Sequence, residues 1–147
     1  MFGDLEIYTS DGVLAEEKIN SPLITILLGY LLTVKQKYHR SIELTRIVYP
    51  DTIADKQNPT KNLTTLVHRL NDLFGNISNI SLIPPNGFGY TLNSDLHIIT
   101  DLDQFKALWE QAQNEVSIIR KVECLKKAFS LYKGNVLASI SDQIWVM

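Results

Sequence analysis

Residues 59 to 75 read Pro-Thr-Lys-Asn-Leu-Thr-Thr-Leu-Val-His-Arg-Leu-Asn-Asp-Leu-Phe-Gly, and residues 86 to 92 close the same region as Asn-Gly-Phe-Gly-Tyr-Thr-Leu. Within the first stretch Leu63, Leu66, Val67, Leu70, Leu73 and Phe74 recur at steps of three and four, the spacing that lines up one side of an α-helix. Lys61, Thr64, Thr65, His68, Arg69 and Asp72 then fall on the opposite side and look outward. Pro59 suits a first helical turn, and Gly75 is placed to end the helix in a left-handed conformation. Two short strand patterns follow, Ile80–Ile83 and Phe88–Leu92, on either side of Pro84-Pro85-Asn86-Gly87. Proline lacks the N–H that a strand ladder needs, so the tip stays a loop. Gly87 and Gly89 permit backbone angles or close packing that a side chain forbids, while Phe88 and Tyr90 anchor the hairpin to the helices.

Upstream of this region lie two further helical patterns. Ser41 is an N-cap candidate with Glu43 in the first turn, where a carboxylate complements the helix dipole; Ile42, Leu44, Ile47 and Val48 supply the apolar side and Pro50 stops the helix. Residues 51 to 58 are polar and loop-like. Earlier, Ser21-Pro22 reads as an N-cap followed by proline at the first helical position, and Leu23, Ile26, Leu27, Tyr30 and Leu31 form a stripe. That helix is apolar on most sides, which predicts a central position. Before it, Phe2 to Val13 alternates in places, breaks at Ser10-Asp11-Gly12, and is followed by a second strand from Val13 to Ile19. Strands, three helices and a hairpin make a winged helix-turn-helix.

From Asp101 the pattern changes. Asp101 with Gln104 forms a helix-start signature, and Leu102, Phe105, Leu108, Trp109 and Ala112 follow at helical spacing. A second helix is predicted from about Ser117 to Lys133, with Ile118, Ile119, Val122, Leu125, Ala128, Phe129 and Tyr132 apolar and Gly134 as its terminating residue. The two make a helical hairpin of tetratricopeptide-like length, which by itself cannot bury both of its faces. The expected class is therefore α+β: a winged helix-turn-helix domain with N-terminal strands and a C-terminal wing over residues 1–94, then a partial helical domain over 95–147.

Composition bounds the function classes. The chain has 147 residues, 45% hydrophobic and 20% charged, which is ordinary globular usage and argues against disorder. Its longest apolar stretch, Pro22 to Val34, is too short to cross a membrane and no basic segment precedes it, so it reads as a core helix and not a signal peptide. A single cysteine, Cys124, leaves no internal disulfide and suits a reducing cytoplasm; its place in a helical pattern reads as a buried thiol. Formal net charge is −2, yet the sign is uneven. Residues 1–32 hold Asp4, Glu6, Asp11, Glu16 and Glu17 against Lys18, whereas in residues 33–71 Lys35, Lys37, Arg40, Arg46, Lys56, Lys61 and Arg69 outnumber Glu43, Asp51 and Asp55. A local positive field is compatible with an acidic total.

The residues now on the page resemble a known family. Strands, three helices and a wing are similar to the OmpR-type winged-helix DNA-binding domain, and the hairpin after it resembles the start of the bacterial transcriptional activator domain of SARP-type regulators. Residues 63–75, Leu-Thr-Thr-Leu-Val-His-Arg-Leu-Asn-Asp-Leu-Phe-Gly, are similar to the family's Leu-Arg-Val-His-Val-Ser-Arg-Leu-Arg-Arg-Ala-Leu-Gly. Gly87, Gly89, Tyr90 and Leu92 match its wing ending, and Asp101-Leu-Asp-Gln-Phe105 and Leu131-Tyr-Lys-Gly-Asn135 look like later counterparts. The resemblance covers essentially the whole chain. It implies a cytoplasmic regulator that binds double-stranded DNA, with RNA polymerase and a second copy of the chain as further candidate partners and no membrane. Thr64, Asn71 and Asp72 stand where the family has arginines, as do Asn86 and Thr91 in the wing. A second reading follows from those departures: a winged helix turned to protein–protein contact.

Eight residues are candidate DNA contacts. Arg69 matches a family arginine and has the fork geometry for phosphate or the guanine edge, or else for a surface salt bridge. Lys56 and Lys61 lie near a helix start, where backbone donors also favour phosphate, and Arg40 adds a further phosphate contact. Thr64, Thr65 and His68 are short polar groups suited to base edges, or to water. Asn86 at the wing tip reads as a minor-groove contact or as a turn former. No catalytic constellation is present, no cofactor is called for, and His39, His68 and His97 lack metal-ligand spacing with one another or with Cys124.

Overall fold

Pro22 presets the backbone angle of a first helical turn, and α1 runs from there to Thr33. Ser21 is its N-cap, its carbonyl accepting from the N–H groups of Ile24 and Thr25. Ile24, Thr25, Leu27, Leu28, Tyr30, Leu31 and Leu32 are all buried, so the helix is central, as an all-round apolar sequence requires. The computed structural model describes residues 1–9, 12–15, 19–34, 38–50, 59–78, 89–92, 97–140 and 142. They form two compact units, residues 6–97, and residues 1–5 with 98–147. Among them no helix is long and apolar enough to cross a membrane.

In the unit of residues 6–97, β1 (Glu6–Thr9) pairs antiparallel with β2 (Gly12–Ala15), Glu6 facing Ala15 and Thr9 facing Gly12. The expected first strand reached back to Phe2, but Phe2 belongs to the second unit, where it bridges Val136. Its ring packs edge-on against Phe105 and Tyr132, and that aromatic burial outcompetes continuation of the strand.

β3 is only His39–Arg40 and leads directly into α2, Ser41–Val48. The helix cap is Arg40 and not Ser41: residue 40 is held extended by the strand, so helical geometry starts one residue later. Glu43 does occupy the first turn; Leu44 and Val48 point inward, whereas Ile42 is exposed. Helix α3 spans Pro59–Ser78 and runs through Gly75 for most of another turn. Glycine permits a left-handed stop without compelling one, and this residue has open space around it.

β4, Gly89–Tyr90, lies antiparallel to β3, with His39 opposite Tyr90 and Arg40 opposite Gly89. A Cβ on Gly89 would overlap the His39 carbonyl oxygen and stand 2.8 Å from the Tyr38 ring, so close approach, one of the two reasons expected for this glycine, is the operative one. The other predicted wing strand, Ile80–Ile83, and the Pro84–Gly87 tip with Phe88 lie outside the described residues. Helices α1, α2 and α3 pack on one another, and Leu27, Leu31, Leu44, Leu63 and Leu70 are fully enclosed. Each such side chain contributes roughly 1.5–3 kcal/mol on leaving water.

The second unit is built on a helical hairpin, α4 (Asp101–Asn114) and α5 (Ile118–Leu131). Thr100, not Asp101, caps α4: its hydroxyl accepts from the Asp103 N–H, and the Asp103 carboxylate accepts from the Thr100 N–H in return. Asp101 is occupied elsewhere, accepting from the Phe2 and Leu102 N–H groups. Gly134 adopts φ +117°, but α5 has already ended at Leu131; the glycine turns the chain into the segment whose Asn135 carbonyl accepts from Gly3. The residues buried between the helices are the small ones, Ala112, Cys124 and Ala128. Much of the large apolar side is exposed, including Ile118, Ile119, Phe129 and Tyr132, in keeping with a hairpin that cannot bury both of its faces.

Candidate nucleic-acid interface

Helix α3 separates its two faces as its periodicity demands. Leu63, Leu66, Val67, Leu70 and Phe74 are buried, while Lys61, Asn62, Thr64, Thr65, His68, Arg69 and Asp72 are exposed. Three to four residues apart along a helix is one turn, so Lys61, Thr65, His68 and Asp72 share a row, with Arg69 beside it. The Thr65 hydroxyl donates to the Lys61 carbonyl at 3.1 Å, which fixes its rotamer and leaves the oxygen's lone pairs toward solvent.

Thr64 stands apart from that row. Its hydroxyl lies 3.4 Å from that of Tyr90, and so ties the exposed side of α3 to β4. Because β4 pairs with β3, the same link brings exposed Arg40, opposite Gly89, to the strand beside the helix. The structure thus gathers Thr64 and Arg40 around one short sheet. Lys56 and Asn86 lie outside the described residues.

Arg69 pairs with no carboxylate among the described residues, so the salt-bridge reading of this side chain finds no support. Its positive charge is felt at Tyr49, at the end of α2: burial pushes the Tyr49 hydroxyl up from its ordinary value and Arg69 pulls it part of the way back.

Below the sheet, His39 is buried with its ring edge-on to Tyr30 at 5.5 Å. The Tyr30 hydroxyl donates to Glu43 at 2.7 Å, and burial, then that hydrogen bond, then the carboxylate's charge push its pKa up to about 12. His39 Nδ1 stands 3.6 Å from the same carboxylate and has no hydrogen-bond partner. This trio joins β3 to α1 and α2 at the residue before Arg40.

Sequence reasoning did not find the Thr64–Tyr90 link, the Tyr38 ring over Gly89 or the His39 trio. A glycine that must be small was the one available signal, since it implies a group pressed against it. Arg46, exposed on α2, is a further cation of this unit that was counted in the charge balance and not as a contact.

No family model matches the chain, and no curated protein matches it. Among solved structures, EmbR from Mycobacterium tuberculosis, captured in complex with a low-affinity phosphopeptide, is similar with a TM-score of 0.78 at 17% identity. The match covers 99% of this chain and 38% of that one, so the chain spans well under half the length of its structural neighbour. At this identity the likeness shows the fold: an α+β winged helix followed by a helical unit.

Proposed function

We propose that the chain is the DNA-reading part of a transcription regulator, with α3 in the major groove and the wing on the adjacent backbone. The observation that carries this reading is the outer face of α3, where Lys61, Thr65, His68 and Arg69 are exposed together on a helix otherwise packed into the core. A groove about 12 Å wide accepts a helix presented in this way. In this assignment Thr64, Thr65, His68 and Arg69 meet base edges, and Lys61, Lys56 and Arg40 set register through phosphates, with Asn86 at the wing tip. The chemistry is binding without turnover. The winged unit, residues 6–97, acts as the DNA-binding domain, and the helical unit belongs to an activator-type domain.

Amide chemical-shift mapping during titration with a mixed-sequence duplex tests the placement. Perturbations concentrated on residues 60–74 and on 38–40 with 89–92 support it. A second reading, a protein-facing winged helix, is favoured by Asp72, an exposed carboxylate in the same row as Lys61 and His68. Absence of any duplex-induced shift at low salt would select that reading.

A further inference from the structure

The helical hairpin leaves a seam uncovered. On α5, Ile118, Val122, Leu125 and Phe129 are spaced by four, three and four, the alternation that keeps side chains on one line facing a partner helix. Ile118 is 79% exposed and Phe129 76%, so this line is not spent on the hairpin's own core. Phe105 and Trp109 of α4, stacked with centroids 6.4 Å apart, form the other wall of a groove of about 420 Å³, lined also by Val122, Leu125, Lys126, Ala128 and Phe129.

Charge selects the occupant. Lys126 lines the groove, Lys106 lies one turn from Trp109 and Lys121 one turn from Leu125. The acids Glu110 and Glu123 sit about 100° round their helices from Trp109 and Val122. A second copy of this seam would bring lysine against lysine, which disfavours self-pairing. We infer that the α4–α5 groove is a docking site for an amphipathic helix of a partner protein, about four turns long, with an apolar stripe at four-three spacing and acidic residues flanking it. Its apolar stripe covers Val122, Leu125, Phe129 and Trp109, and its carboxylates meet Lys126 and Lys121. This surface belongs to the helical unit alone and is independent of the DNA-facing reading.

The test uses the full chain and two labelled peptides of about 21 residues, both with leucine at four-three spacing, one with glutamate and the other with lysine at the flanking positions. Anisotropy titration is expected to show the glutamate peptide binding about tenfold more tightly at low salt, the gap closing as salt screens the flanks. Phe129→Asp is expected to abolish binding with the circular dichroism spectrum unchanged, since that side chain is mostly exposed. Lys126→Glu with Lys121→Glu keeps the stripe and is expected to reverse the preference. Failure of both peptides to bind, equal binding of the two, or self-association of the chain that Phe129→Asp abolishes would each overturn the assignment.

Discussion

Gly89 is fixed by its neighbours: a methyl group there meets the backbone oxygen of His39, which cannot rotate aside as a side chain would. Gly89→Ala is therefore expected to destabilise the winged unit by about 2 kcal/mol, in the range of overpacked cores. In thermal unfolding of this unit that corresponds to a fall in Tm of about 10 °C; an unchanged Tm would mean that β3 and β4 are not in register here. Tyr30 supplies a second test at the same scale. Its hydroxyl titrates at about 12 when folded and near 10 when unfolded, so the folded state favours the protonated form. That contribution is fully present below pH 10 and is lost as pH rises from 10 toward 12. Urea midpoints measured across this window should fall more steeply for the wild-type chain than for Tyr30→Phe, and parallel curves would remove Tyr30 from the account.

At the scale of elements, α3 carries the functional claim and Arg69 is its most specific test. Arg69→Ala is expected to weaken duplex binding several-fold and to reduce the salt slope by about one if the guanidinium holds a phosphate, or to relax sequence preference if it holds a base. Unchanged affinity would count against the groove assignment. The two faces of α3 were legible in the sequence because a 3.6-residue period encodes burial directly. Element ends were less so, as Thr100 capping α4 in place of Asp101 shows: the carboxylate of Asp101 had a competing use that involves Phe2, far away in sequence. β3 could not be read from periodicity, since two residues carry none and its partner lies fifty residues on. For α5 the period identified the apolar side correctly, but periodicity cannot say whether a partner is present to cover it. The site followed the same division, with the exposed row of α3 legible and the Thr64–Tyr90 link, a contact across 26 residues, not.

On the scale of the whole molecule the charge pattern and the function must be reconciled. A chain of net charge −2 is not drawn to DNA by its total field, so the proposed reading assigns the attraction to the local excess of cations between residues 33 and 71. Screening over about 10 Å at 0.1 M salt makes such a patch act locally, with exposed Asp72 in the same row offsetting part of it. The decisive measurement is a fluorescence-anisotropy titration of this chain with a mixed duplex of about 20 to 30 base pairs across several salt concentrations. A log–log salt slope near about −3 to −4 is the result expected: Arg40, Lys56 and Lys61 on phosphates give about −3, and Arg69 adds about one more where it holds a phosphate instead of a base edge. No binding even at the lowest salt would contradict it.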